Sequence, residues 1–357
     1  MNKSVFIEFV GENKALVDNR IVEYLNLKSF LFNRLPRFGV DLSKKLASFT
    51  SRGKGIRGGL FLFVAEMFGK KVCPSFIDIA AGLELIHSSL LIHDDVMDND
   101  LLRRGQPSLY SQYLEEMKIF SIKDSVQTAK SLSICVGDLG YFLGMQLISN
   151  AVAELRLSDT ILIKITDEIM MVGLAQMEDV FYGNQDETPL LREIDRIYLY
   201  KTARYTFSLP MSLGTLVAEQ KKEMTTSIEQ LGEHIGFIYQ LRDDEIGLFM
   251  DESVSGKTKG SDIRENKKTY LKSFLYSYLP TSSKSTLDTI FGNKKITDKE
   301  IEYVQNIIIT SGAPKKIQNI VKKREKKAME IINSLQLNQT HKASLVRLLR
   351  YISDRKK

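Results

Sequence analysis

Residues 82–104, GLELIHSSLLIHDDVMDNDLLRR, decide how this chain is read. A long apolar run of helix formers ends in the carboxylates Asp94, Asp95 and Asp98 and then in Arg103 and Arg104. About 150 residues later the pattern returns in QLRDDEIG, with Asp243 and Asp244, and Lys257 follows. Carboxylates on an inward-packing helix face are costly to bury, so two such clusters ask for compensating cations. Acidic groups facing basic ones across a gap suit Mg²⁺ ions that carry a polyphosphate.

The register of the first cluster supports a shared face. At about 100° per residue, Asp94 lies roughly −20° and Asp98 roughly +20° from His87, with Asp95 about 80° away. His87 is thus expected about two turns below a carboxylate cluster at a helix C-terminus. In the second segment Gln240 stands one turn before Asp244 and three residues before Asp243, so both helices are expected to direct acids into one cavity mouth.

Around these segments the chain reads as a string of helices. The seven prolines are sparse within the periodic stretches, and strand-like alternation bounded by turn dipeptides is scarce. Helices are expected over roughly 17–36, 56–69, 74–98, 126–153, 158–182, 191–217, 224–250, 263–280 and 297–310, followed by a basic pair. The expected fold is all-α, a single domain over 1–357 built as a helical bundle with a central cavity, since long amphipathic helices host sites between facing helices.

Composition narrows the class. A hydrophobic content of 43% with 26% charged residues belongs to globular proteins. Cys73 and Cys135 fit no zinc spacing or disulfide scaffold, which suits a reducing cytoplasm. The first residues lack a signal-peptide pattern, and the longest apolar stretch, Ile134 to Ala153, contains Asp138, so no transmembrane segment is expected. The net charge of +6 is uneven: residues 313–357 hold 13 Lys and Arg against 3 Asp and Glu, a net of +10 that leaves −4 for the rest. Apolar residues recur through this basic end at helical spacing, so its charges read as the solvated face of two terminal helices, with no nucleic-acid partner.

If the aspartates hold Mg²⁺ on a diphosphate, the metal neutralises charge on a departing group and a C–O bond can break to leave a carbocation. Such a cation needs a dry pocket, for which Leu83, Ile86, Leu90, Leu91 and Phe142 are candidates. Lys54 and Arg57, with His87 and Arg104, could seat a second diphosphate and lower the entropic cost of the encounter.

Five ordered segments between about 52 and 270 carry a resemblance: GKGIRGG (53–59), LIHSSLLIHDDVMDNDLLRRGQPS (85–108), GDLGYFLG (137–144), KTARYTFSLP (201–210) and the long stretch from Ile238 to Thr269. Together they resemble the trans-isoprenyl diphosphate synthases, which include farnesyl and geranylgeranyl diphosphate synthases. The resemblance implies the all-α isoprenoid synthase bundle, usually a homodimer. It implies Mg²⁺ on Asp94, Asp95, Asp98, Asp243 and Asp244, three ions with substrate bound. Arg103, Lys201 and Lys257 would contact the allylic diphosphate, with Gln240 beside the second motif. Lys54, Arg57, His87 and Arg104 would seat isopentenyl diphosphate, and Thr202 would lie near the reacting carbons.

The chain departs from the family pattern at three places. Gly55 and Gly58 stand for the middle Arg and the Pro of the first basic motif, and Gly247 for the third acid of the second aspartate motif; Asp251 lies four residues beyond Gly247. Bulky aromatics four and five residues before the first motif stop growth early in the family, whereas Leu90 and Ser89 stand here, implying a product of C20 or somewhat longer. The alternatives are a class I terpene cyclase, disfavoured by the second diphosphate seat, and a non-catalytic partner subunit of a heteromeric synthase, disfavoured by both acidic motifs.

Overall fold

A computed structural model describes residues 5–250 and 260–355. The chain is all-α; the only strands among the described residues are the two-residue β1 (Leu102–Arg103) and β2 (Gln106–Pro107). The described residues form two compact units, residues 1–164 with 210–220 and residues 165–209 with 221–357.

The first unit contains α1 (Val5–Phe32), α2 (Pro36–Ser51), α3 (Ile56–Met67), α4 (Pro74–Asp98), α5 (Leu109–Ile119) and α6 (Ser125–Glu154). Helix α1 begins well before residue 17, and α2 and α5 are helices that periodicity did not reveal. Pro36 starts α2 and does not break it, because a first-turn proline forgoes an amide that has no intrahelical partner anyway. Helix α5 opens on Ser108, whose hydroxyl accepts from Ser111 N at 3.1 Å.

Glycine sets the closest approach in this unit. A Cβ at Gly144 of α6 would fall 2.7 Å from Gly82 O and 2.8 Å from Ile86 Cγ1, and one at Gly140 would fall 2.5 Å from Ser89 Oγ. Bare backbone therefore lets α4 and α6 run in direct contact. Leu83 and Ile86, at 1% and 0% exposure, are core side chains of α4, and Phe142 is 67% exposed. The other two residues expected to line the pocket, Leu90 and Leu91, are both part-buried.

Helices α4 and α6 have the length and hydropathy of a membrane span. In α4, however, 78% of the apolar window is buried within the fold, so its apolarity serves the core; in α6 the share is 44%.

The second unit takes α7 (Thr160–Gly183) from residue 165 onward, α8 (Leu191–Ile197), a π-helix (Tyr198–Ser208) and α10 (Lys222–Phe249). Helix α9 (Leu209–Val217) comes next in sequence and from Pro210 on belongs to the first unit. The expected helix 191–217 is thus continuous but changes register in its middle. Then follow α11 (Ser261–Arg264), α12 (Tyr270–Tyr278), α13 (Thr281–Ile290), α14 (Asp298–Thr310), α15 (Ala313–Ser334) and α16 (Gln339–Ser353). Helix α10 packs on the π-helix, α15 and α16. The two terminal helices expected from the basic end are present, with Ile317, Val321, Ala328 and Ile332 of α15 buried.

A testable consequence concerns the α4–α6 seam. Gly144→Val should destabilise the chain by about 1–3 kcal/mol, the usual cost of overpacking a close helix contact, read as a lower urea midpoint by circular dichroism.

Candidate active site

In the first unit, the acidic cluster occupies the last turn of α4. Asn99 closes that helix in the left-handed conformation, φ 57°, its N–H bonding to Asp95 O. The chain then makes a two-residue hairpin through Arg104 and Gly105, φ 56° and 70°, a turn with both central residues left-handed. This hairpin returns Arg103 to the helix end. Its Nε donates to Asp95 Oδ1 at 2.6 Å, and Nη2 reaches Asp100 Oδ2 at 3.0 Å and Asp94 Oδ2 at 3.4 Å.

Arg103 therefore serves the aspartates as an internal cation. Asp95 is fully buried. Burial pushes its carboxyl up to about 7 even though Arg103 pulls the other way. Its Oδ2 is buried with no hydrogen-bond partner among the described residues. A carboxylate group this short of positive charge fits a hard divalent cation, which prefers oxygen ligands.

The same unit holds the expected anion seat. His87 is part-buried, and its imidazole is held well below its usual range by burial and then by Arg57, Arg104 and Arg103, with Asp94 opposing them. His87 is therefore neutral among three guanidinium groups. Arg104 lies over Gly53, where a Cβ would meet its Nη1 at 3.0 Å, and donates to Phe49 O at 3.5 Å. Arg57, His87, Arg103, Arg104 and Asp94 are thus brought together.

The glycine departures acquire reasons here. Gly55 caps α3 in the left-handed region, φ 65°, where an arginine would be strained. Gly58 N donates to the buried Glu84 Oε1 at 2.9 Å, a bond that proline cannot make.

In the second unit, bare glycines bring α10 onto the π-helix. A Cβ at Gly236 would fall 2.5 Å from Ala203 Cα, and one at Gly232 would fall 2.6 Å from Ser208 Cα. A π stretch inside a helix frequently marks a functional segment, and this one carries Lys201 and Thr202. Thr202 Oγ1 donates to Gln240 Oε1 at 2.7 Å, and Gln240 Nε2 donates to Asp244 Oδ1 at 2.7 Å. Tyr198 Oη donates to Asp244 Oδ2. Burial holds the Asp244 carboxyl well above the usual range; Tyr198 and Gln240 lower it, while Asp262 and Asp243 raise it. Asp243 is half-exposed and pairs with Arg355 Nη1 at 2.9 Å. Lys257, expected on the allylic diphosphate, and Asp251 lie outside the described residues.

Two acids were not anticipated from sequence. Asp179 of α7 accepts from Lys201 Nζ at 2.6 Å. Its signal was an acid within the apolar segment GLAQMED. Asp262 Oδ2 lies 2.8 Å from where a Cβ at Gly247 would stand. A carboxylate from α11 thus comes up against the position where the motif lacks its third acid.

The polyprenyl synthetase family matches residues 41–308. The chain belongs to that family. Its activity is prenyl transfer. A short chain isoprenyl diphosphate synthase of Methanocaldococcus jannaschii is 30% identical over 72% of each chain. A geranylgeranyl diphosphate synthase of Sulfolobus acidocaldarius is 29% identical, covering 81% of this chain and 83% of its own. Among solved structures, the geranylgeranyl pyrophosphate synthase of Corynebacterium glutamicum, complexed with isoprenyl diphosphate and magnesium, superposes over 100% of both chains with a TM-score of 0.88 and 22% identity. That likeness shows the isoprenyl diphosphate synthase fold.

Arg103 provides the test of this geometry. Arg103→Met removes the cation that lowers the Asp95 carboxyl, which then titrates higher still, so the cost in stability should grow above pH 7 by up to about 1.4 kcal/mol per pH unit. The loss should shrink at pH 5, where Asp95 is protonated in the folded chain, and urea titrations at the two pH values compare them.

Proposed function

We propose that the chain joins isopentenyl diphosphate to an allylic prenyl diphosphate by 1′-4 condensation, giving geranylgeranyl diphosphate or a somewhat longer product, in a Mg²⁺-dependent reaction. The observation that carries this reading is the pairing, within the first unit, of an anion seat with a carboxylate cluster. Arg57, Arg104 and a neutral His87 stand beside Asp94 and Asp95, with Arg103 between the two sets. A cyclase has no use for a second diphosphate seat.

In this reading Asp94, Asp95 and Asp98 hold Mg²⁺ at the first motif and Asp243 and Asp244 at the second. The bound ions neutralise charge on the departing diphosphate. Lys201 and Lys257 contact the allylic diphosphate, and Lys54, Arg57, His87 and Arg104 seat isopentenyl diphosphate. A neutral imidazole can donate one hydrogen bond without adding to the charge of the arginines.

The hydroxyl proton of Thr202 is committed to Gln240, so Thr202 Oγ1 offers lone pairs to its surroundings. An oxygen presented in that sense favours an allylic cation. As the allylic C–O bond breaks, the isopentenyl double bond forms the new C–C bond, and the released diphosphate takes the proton that restores the alkene.

The C20 length draws on the Sulfolobus and Corynebacterium enzymes, both named as geranylgeranyl synthases, and on the absence of an aromatic at Ser89 and Leu90. Ser89 is 1% exposed, its Oγ bonded to Leu85 O at 2.9 Å in the α4–α6 seam. Leu90 is part-buried and is the better place for a stop. A homodimer belongs to the same reading, supported by Ile134, Leu139 and Phe142, which α6 leaves exposed. A reducing cytoplasm suits the two free cysteines.

Purified chain incubated with Mg²⁺, isopentenyl diphosphate and allylic primers of increasing length should give C20 or longer products by chromatography. Products of only C10 or C15 would refute the length, and turnover undiminished by chelator would refute the metal. Asp94→Ala should lower kcat by at least about a hundredfold, the scale of losing one stabilising group for developing charge, with helical content unchanged. Leu90→Phe should shorten the product to C15 or less; an unchanged length would remove Leu90 from that role.

A further inference from the structure

Six lysines of α15 are exposed: Lys315, Lys316, Lys322, Lys323, Lys326 and Lys327. Taking Lys315 as zero at about 100° per residue, they fall at roughly 0°, 100°, −20°, 80°, 20° and 120°. They therefore share one stripe about 140° wide and about 18 Å long. The buried residues Ile317, Val321, Ala328 and Ile332 occupy the opposite side of the helix. Between Lys315 and Lys327 the only other stripe residue is Asn319; Glu325 falls outside it, and Glu330 comes one turn beyond.

Among the described residues none of the six pairs with a carboxylate. Exposed helix lysines are commonly accompanied by acids one turn away, which stabilise the helix and cancel the field. Here acids stand one turn from only three of the six, Glu325 from Lys322 and Glu330 from Lys326 and Lys327, and neither forms an ion pair with them. Lys316 Nζ also sits 4.4 Å from the ring centroid of Tyr278, which is 46% exposed and places an amphipathic ring beside the stripe.

The geometry points to an electrostatic docking surface for an anionic phospholipid bilayer along α15. The cations of the stripe are all lysine, whose ammonium is a hydrated point charge suited to diffuse negative charge; guanidinium forks, which grip individual phosphates in fixed orientation, are absent from it. The apolar face of α15 is used within the fold, so contact is by charge and does not need insertion. The preference for lipid over nucleic acid rests on the prenyl transfer proposed above. A diphosphate with a C20 tail is an amphiphile, and an enzyme held at a bilayer surface releases it where the tail can be buried.

The test uses the full chain without substrate, co-sedimented with vesicles of phosphatidylcholine alone or of equimolar phosphatidylcholine and phosphatidylglycerol. Binding is expected only to the anionic vesicles, and it should be lost at about 1 M salt, where the screening length falls to roughly 3 Å. The variant K322Q/K323Q/K326Q should bind roughly a hundredfold more weakly, at about fivefold per lysine, with unchanged circular dichroism and unchanged prenyl transfer in solution. Equal binding to neutral vesicles, unchanged binding by the triple variant, or a duplex oligonucleotide bound in place of the anionic vesicles would overturn the proposal. Prenyl transfer without vesicle binding defeats this inference alone. Vesicle binding without prenyl transfer leaves the surface as argued and defeats the proposed function.

Discussion

Two buried carboxylates, Asp95 and Asp244, impose the constraint around which the rest is arranged. Each sits on a long helix that the core needs for its apolar residues, and each would be expensive to bury alone. The two units answer in different ways. At Asp95 the compensation is ionic, from Arg103, and it comes from the very next segment because a tight hairpin turns the chain back at once. At Asp244 it is a pair of neutral donors, Gln240 one turn earlier on α10 and Tyr198 brought by the register of the π-helix against α10. In both cases the carboxyl remains above its ordinary range, so the protein alone leaves these groups under-compensated. A divalent cation would supply what is missing, which is the physical argument for the metal sites proposed at these helix ends.

Glycine makes both arrangements possible. The seam between α4 and α6 and the contact of α10 with the π-helix are each too close for a β-carbon at Gly140, Gly144, Gly232 or Gly236. Such contacts fix helix register to a fraction of a turn, because sliding by one residue would drive a side chain into backbone. Thr202 and Gln240 meet at 2.7 Å because Ala203 and Gly236, their near neighbours in sequence, are already locked together.

The local part of this site was legible in the sequence. Asp94, Asp95, Arg103 and Arg104 lie in one short segment, and helical periodicity alone puts His87 on the side of Asp94. The all-α character was equally plain, since apolar spacing persists through most of the chain. What escaped were elements and partners fixed from a distance. Helices α2 and α5 are short, and each begins near a proline, at Pro36 and just after Pro107, which reads as punctuation until the cap is seen. Asp179 meets Lys201 across 22 positions, Glu84 meets Gly58 across 26, and no local pattern announces either. The apolar side chains were hardest to assign, because core and cavity lining share one composition; Phe142, half a turn from the buried Gly140, faces outward.

The departures from the family pattern are compensated by residues outside the motifs. Replacing proline by glycine at 58 returns an amide to the start of α3, and an amide there is useful only if an acceptor is close; Glu84, 5% exposed, is that acceptor. The exchange also helps Glu84, a buried acid that would otherwise need another donor. At 247 the logic runs the other way. The lost acid leaves space, and Asp262 presents its carboxylate to that space from α11. A side chain restored at 247 would meet Asp262, and an aspartate there would add a like charge to a cluster that already raises the Asp244 carboxyl. Gly247 is therefore better understood as one half of a pair with Asp262 than as a defect in the second motif.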